Sequence, residues 1–219
     1  MNVVAVPVKP LHRAKSRLAP LLSPSERAAI TLGMLDDVLA ACRSLTGWDV
    51  WVVSHAEPAL DAAVARGAKP IEERGRSLGE AVRQAEATFA EMDPAEGHAL
   101  AVVLADLPFA TSPALARALD EPSPVVAAPA TSDGGTNVLV RRPPSVIRAR
   151  FGRSSFAKHA WAARRAGVAF AEVASEELGF DLDRPEDLVR VLAARGRAGA
   201  RTEAVCRELG LAERLRRRA

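Results

Sequence analysis

Ala99-Leu100-Ala101-Val102-Val103-Leu104-Ala105-Asp106-Leu107-Pro108 is the stretch on which the fold turns. Its unbroken apolar run has the length of a strand buried on both faces, the habit of parallel sheets. The run ends at a carboxylate ahead of Leu107-Pro108, which places Asp106 at the strand's carboxyl rim. Ligands of open α/β sheets bind beyond that rim. Val3 to Val8 is a second run of the same kind, and Asp49 to Ser54 a third.

Helices are predicted between these runs. Ser23-Pro24-Ser25-Glu26 combines a capping box with proline at the first helical position. Ile30, Met34, Val38 and Cys42 then recur every fourth residue and form a buried face. A helix over 58–66 and a short strand over 68–72 follow. Ser77-Leu78-Gly79-Glu80 repeats the capping-box pattern and opens a helix to about Met92. A helix over 112–119, strands over 125–130 and 137–141, a helix over 154–166, a strand over 168–173 and two helices from Pro185 onward complete the chain. This alternation predicts an α/β fold with a mixed, mostly parallel sheet and helices on both faces. The closely spaced strands over 125–141 predict an inserted antiparallel piece. At 219 residues the expectation is one nucleotidyltransferase domain over 1–219.

With 48% hydrophobic and 26% charged residues the composition is that of a globular protein. No apolar run is long enough to span a bilayer, and the strand pattern beginning at the N-terminus leaves no room for a signal peptide. Cys42 and Cys206 fall on apolar helix faces and read as core thiols, which suits a reducing cytoplasm. Net charge is +3. Cations gather at Lys9, Arg13, Lys15 and Arg17, and again at Arg214, Arg216, Arg217 and Arg218. The second group ends a helix, where cations complement the dipole. No aromatic platform or reading motif accompanies it, so no nucleic-acid partner is expected.

Four segments carry chemistry. Asp106 offers a hard oxygen ligand suited to magnesium. In extended Phe180-Asp181-Leu182-Asp183, residues two apart share a face, so Asp181 and Asp183 can approach one metal; Asp183 with Glu186 also reads as a helix cap. Asp133-Gly134-Gly135-Thr136-Asn137 is a hairpin turn whose glycines permit close backbone approach to an oxyanion, with the Thr136 hydroxyl as a donor. Gly152-Arg153-Ser154-Ser155 enters a helix, where free N–H groups receive phosphate or carboxylate. His159 lies one turn beyond Ser155. The loop Lys9 to Leu18 lacks G-x-G-x-x-G and G-x-x-x-x-G-K patterns, so a triphosphate held there is gripped by side-chain charge, with Lys15 and Arg17 foremost. The four histidines are dispersed, and neither a nucleophile elbow nor a zinc motif occurs.

In this order, Val6-Pro7-Val8-Lys9, Ala14-Lys15-Ser16-Arg17-Leu18, Asp106-Leu107-Pro108, Gly134-Gly135-Thr136-Asn137, Phe151-Gly152 with Ser155-Phe156 and His159, and Asp181-Leu182-Asp183-Arg184-Pro185 resemble the phosphoenolpyruvate / 2-phospho-L-lactate guanylyltransferase family of coenzyme F-420 biosynthesis. The resemblance runs from about Asn2 to Leu192. It implies a nucleotide-diphospho-sugar-transferase-like (Rossmann-like) fold, magnesium, GTP and a small phosphorylated acid. Lys15, Arg17 and Asp106 are expected to be catalytic; the resemblance implies Asp106, Asp181 and Asp183 as metal-binding, and Thr136, Gly152 and Ser155 as holding the acceptor. Bacterial members use phosphoenolpyruvate and archaeal ones were assigned 2-phospho-L-lactate; the Ala- and Arg-rich composition favours the first. Hand-off to a downstream deazaflavin transferase is also implied, and a homodimer is held open. Relatives often carry Gly-Leu-Asn where this chain has Ser77-Leu78-Gly79, which leaves the guanine contacts open. A molybdenum-cofactor nucleotidyltransferase is the nearest other enzyme, but its glycine-rich first loop is missing. A GTP sensor and a protein using its arginine tail on nucleic acid are the readings outside enzymology.

Overall fold

The computed structural model describes residues 1–75, 77–92, 98–194 and 196–217. Among the described residues seven strands form one sheet: β1 (Asn2–Pro7), β2 (Trp48–Ser54), β3 (Lys69–Glu72), β4 (Leu100–Val103), β5 (Val125–Pro129), β6 (Thr136–Arg141) and β7 (Phe170–Glu172). Their order is β3-β2-β1-β4-β6-β5-β7. Every pairing is parallel except those of β6, which runs antiparallel between β4 and β5. The expected antiparallel piece is therefore an interior strand. Because β6 runs backwards, its first residues lie beside the last of β4, and the Leu104 N–H donates to Asn137 O at 2.9 Å. Thr136 thus arrives at the rim that carries Asp106.

Alternate residues of each strand go to opposite faces. Val4, Val6, Val52, Val126 and Val138 pack with Leu35, Val38 and Leu39 of α1 (Pro24–Arg43) and Leu115 of α4 (Ser112–Leu119). On the other face Val3, Ala5, Trp51 and Val53 meet Ala81, Ala85 and Phe89 of α3 (Leu78–Ala90). There too Val125, Ala127 and Leu139 meet Ala163 of α5 (Ser155–Ala166). Helices cover both faces, and α2 (Glu57–Ala65) packs along β2 and β3.

The Ser23 capping box forms as expected: the Ser23 hydroxyl accepts the Glu26 N–H, and the Glu26 carboxylate accepts the Ser23 N–H at 2.8 Å. Ile30, Met34, Val38 and Cys42 are all fully buried. The carboxyl-terminal part departs from expectation. A four-residue helix, α6 (Glu176–Gly179), precedes the last strand-like segment, and among the described residues three helices follow instead of two: α7 (Pro185–Ala193), α8 (Ala200–Glu208) and α9 (Leu211–Arg216). Gly196 and Gly210 stand in the left-handed region at φ +74° and +60° and lie at the two breaks between these helices, one more break than the sequence reading expected. These helices pack on Ile30 and Met34 of α1, with Phe180 and Leu182. Arg214 pairs with Glu26 at 2.7 Å and Arg217 with Glu213 at 3.8 Å. Arg218 lies outside the described residues. Both cysteines are buried and free. Among the described residues no helix is long and apolar enough to cross a membrane.

Candidate active site

A cleft of about 330 Å³ opens at the carboxyl rim of β1 and β4, lined by the loop after β1, Asp106, the turn into β6, Gly152, Asp181 and Asp183. The Lys9 to Leu18 loop forms two tight turns, Leu11–Arg13 and Ser16–Leu18, with Lys15 between them at φ +50°. A non-glycine residue in that region is held by its surroundings. Leu18 is fully buried, and Arg27 of α1 donates to Ala14 O at 3.2 Å and Leu22 O at 3.0 Å. Pinned in this way, Lys15 directs Nζ between two carboxylates, 2.5 Å from Asp106 Oδ2 and 2.8 Å from Asp183 Oδ1. Burial alone would lower the lysine's pKa, but the two carboxylates outweigh it and raise it. Arg17 lies 3.4 Å from Asp183 Oδ2 and is largely exposed, while Lys9 and Arg13 line the cleft.

Phe180-Asp181-Leu182-Asp183 alternates as an extended segment should. Phe180 and Leu182 are buried, with Phe180 stacked on Phe109 at 4.9 Å, while the aspartates face the cleft. The Leu182 N–H donates to Asp106 O at 3.1 Å, so the segment lies directly against the end of β4. The helix cap expected of Asp183 and Glu186 is formed otherwise: Asp187 accepts the Asp183 and Arg184 N–H groups at 2.8 and 2.7 Å. The Asp183 carboxylate is thereby left to Lys15 and Arg17. Burial raises the Asp183 pKa, but those cations prevail and it is lowered. Burial and nearby Asp106 push Asp181 up to about 6, against the Ser132 hydroxyl, which donates to it at 2.9 Å.

The opposite wall comes from the turn into β6. Asp133 Oδ1 accepts the Gly135 N–H at 2.7 Å, and a Cβ on Gly135 would meet that oxygen at 2.6 Å, so a side chain there would displace the Asp133 carboxylate. Thr136 is buried and lines the cleft. Asn137 turns inward, donating to Leu178 O at 2.9 Å, and so ties α6 beneath the site. The helix start at α5 corrects the sequence expectation of free amides. The Ser154 and Phe156 N–H groups donate to Asp133 O and Gly134 O at 3.3 and 3.2 Å, and the Ser155 N–H to Gly152 O at 3.0 Å. What remains are the Gly152 and Arg153 N–H groups, which no acceptor takes among the described residues, Gly152 on a backbone at φ +111°. Ser155 is fully buried behind Thr136 with its hydroxyl donating to Thr136 Oγ1 at 3.0 Å; it reaches the cleft through Thr136.

Of the eight residues singled out in sequence, Lys15, Arg17, Asp106, Thr136, Gly152, Asp181 and Asp183 line this one cleft. Sequence reasoning missed Ser132, Asp187 and Arg27, which position the others. It also missed Thr31 of the lining, while Leu78, from the stretch that left the guanine contacts open, does line the cleft. Only Asp187 carried a signal, as the third residue of a helix opening at proline.

The pattern described as "Guanylyl transferase CofC like" matches residues 1–217. The chain belongs to the CofC-like guanylyl transferases. It is 38% identical over 208 residues to a phosphoenolpyruvate guanylyltransferase of Sphaerobacter thermophilus, covering 92% of this chain and 97% of that one. A 2-phospho-L-lactate guanylyltransferase of Haloferax volcanii is 40% identical over 185 residues, covering 84% and 82%. A 3-phospho-D-glycerate guanylyltransferase of Phenylobacterium zucineum is 40% identical over 203 residues, covering 90% and 91%. In fold, the CofC-like chain is similar to a Desulfovibrio desulfuricans protein described as a nucleotide-diphospho-sugar transferase. That likeness has a TM-score of 0.76 at 19% identity and covers 99% of this chain and 98% of that one. The CofC-like chain is thus a nucleotidyltransferase by family and shares the fold of the Desulfovibrio protein, and the molybdenum-cofactor reading is set aside.

Proposed function

We propose that this guanylyltransferase joins GTP to phosphoenolpyruvate, giving enolpyruvoyl-2-diphospho-5'-guanosine and pyrophosphate in coenzyme F-420 biosynthesis. One observation carries the reading: a single cleft holds the cationic loop on one side, three aspartates at its floor, and Thr136 and Gly152 opposite. Two anionic substrates can therefore be held with their reacting atoms between the walls. The Haloferax relative favours 2-phospho-L-lactate as the alternative acceptor, giving lactyl-2-diphospho-5'-guanosine.

Charge decides what else the site needs. The lining carries Lys9, Arg13, Lys15 and Arg17 against Asp106, Asp133, Asp181 and Asp183, so it has no cationic surplus with which to gather two polyanions. The donor set fits magnesium: carboxylate oxygens, with Asp106 Oδ1 buried and unpartnered. Among the described residues no three His, Cys, Asp or Glu side chains converge as a complete cage. Magnesium characteristically keeps waters and substrate phosphates in its shell, so one or two carboxylates suffice. Asp106, Asp181 and Asp183 are the carboxylates from which those one or two would come. Bound there, the ion offsets phosphate charge and stabilises charge in the transition state.

The side chains perform the rest by position and electrostatics. Lys9, Arg13 and Arg17 meet the triphosphate, and Lys15 keeps Asp106 and Asp183 in register. Thr136 Oγ1 and the Gly152 N–H orient the acceptor phosphate so that one of its oxygens attacks the α-phosphorus as pyrophosphate leaves. A phosphate monoester is largely dianionic at neutral pH, its second pKa being about 6, so the nucleophile requires no general base. The test is product identity. The protein is incubated with magnesium, GTP and each of the three phosphorylated acids, with the downstream deazaflavin-coupling enzyme present to trap labile product. Enolpyruvoyl-derived product identifies the acceptor, lactyl- or glyceryl-derived product reassigns it, and none from any acid refutes the reading.

A further inference from the structure

His159 is fully buried behind the acceptor wall. Its Nε2 accepts the Arg150 N–H at 2.9 Å. A ring nitrogen that accepts carries no proton, and a neutral imidazole has only one, so the proton is on Nδ1. Nδ1 stands 3.1 Å from Thr136 Oγ1 and donates to it. The Ser155 hydroxyl donates to the same oxygen at 3.0 Å. A hydroxyl oxygen has two lone pairs and one hydrogen. Both lone pairs of Thr136 are thus filled from within the protein. The hydrogen has the cleft left to it, because no residue accepts it among those described.

The arrangement is held on every side. Phe151 meets the imidazole edge-on, with centroids 5.7 Å apart and planes at 69°. Burial first, then the charges of Arg141 and Lys158, push His159 down to about 4, so the ring stays neutral at physiological pH. Arg141 is itself buried and paired with Glu86 at 2.7 Å.

Resting on the acceptor placement above, we propose that His159 is a positioning residue that fixes Thr136 as a one-way hydrogen-bond donor, so that this wall selects a fully ionised oxyanion of the acceptor. A hydroxyl or protonated phosphate offered at the same point meets a donor with no acceptor to spare. Such a mismatch leaves a polar group unpaired, which is how a site rejects an analogue more strongly than by shape.

Two measurements test this. Nitrogen NMR of the imidazole in the intact protein at pH 7 should show Nδ1 protonated and Nε2 bare; the opposite tautomer overturns the proposal. Kinetics with His159→Asn and His159→Gln supply the second. Asn carries an N–H near the Nδ1 position and should leave the acceptor KM within about three-fold. Gln keeps a carbonyl for the Arg150 N–H but loses the donor to Thr136. It should raise the acceptor KM on the order of ten-fold, with the GTP KM unchanged. Equal effects of the two variants, or a matching rise in the GTP KM, would reduce His159 to a packing role. A wild-type protein inactive with every acceptor refutes the functional reading instead, and the NMR result still decides the hydrogen-bond scheme.

Discussion

Replacing Lys15 by Met removes the ammonium and keeps most of the apolar stem. The lysine side chain is 6% exposed, while Asp106 and Asp183 are 26% and 36% exposed. Removing one partner of a fully buried pair costs about 3–5 kcal/mol, because the other charge is stranded. Water screens both aspartates here, which brings the expectation to about 2–3 kcal/mol. Asp106 finds no substitute partner, since its second oxygen is already without one. In a chain of this size that loss lowers the melting temperature by roughly 5–10 °C. The sign with pH follows from Asp183, whose folded pKa is lowered by Lys15 and Arg17 against burial. Such a group stabilises the fold above its unfolded pKa and loses that contribution as pH falls through the folded value. The gap between wild type and variant should therefore be full at pH 7 and shrink below pH 4. Thermal and urea denaturation at both pH values make the measurement. Equal stability at pH 7, or a deficit independent of pH, would refute the ion-pair account of the loop.

Asp106→Asn keeps the shape of the rim and should depress turnover on the order of 100-fold or more with the fold intact; near-normal turnover removes Asp106 from the chemistry. Thr136→Ala should raise the acceptor KM more than the GTP KM, and equal effects would displace it from the acceptor wall. His159, depressed to about 4 from 6.5, leaves the folded chain refusing a proton that the unfolded chain accepts. Stability should thus fall between pH 6.5 and 4 by about 3 kcal/mol, at 1.36 kcal/mol per unit, and His159→Gln should flatten that slope by one proton. Leu182→Ala empties a fully buried position beneath Asp181 and Asp183. It should cost about 2–4 kcal/mol and weaken magnesium-dependent turnover as well, whereas a pure stability loss would detach the segment's packing from its chemistry.

Much of this was readable from residues whose local pattern and tertiary role coincide. The apolar run before Asp106 reads as a buried strand, which its Leu100–Val103 part forms, and the Phe-Asp-Leu-Asp alternation sorts itself between core and cleft. What escaped depended on which loop docks on which. The start of α5 looks free in sequence, but the Asp133-Gly134 turn supplies carbonyls to its amides. Glu186 satisfies the capping-box spacing from Asp183, yet the helix opens one residue later and uses Asp187. Lys15 reads as a triphosphate ligand, whereas the left-handed backbone that turns it towards Asp106 and Asp183 has no sequence signature in a lysine. The neutral donor role of His159 likewise needs Arg150 and Thr136 in place around the ring.

The most direct test of the central claim is pyrophosphate release by the wild-type protein with magnesium and GTP, with and without phosphoenolpyruvate or 2-phospho-L-lactate, the coupling enzyme present. Release that depends on the acid, strongest with phosphoenolpyruvate, is the predicted result. Tight GTP binding with no release in the presence of either acid would contradict the account and leave a nucleotide-binding protein that does not transfer.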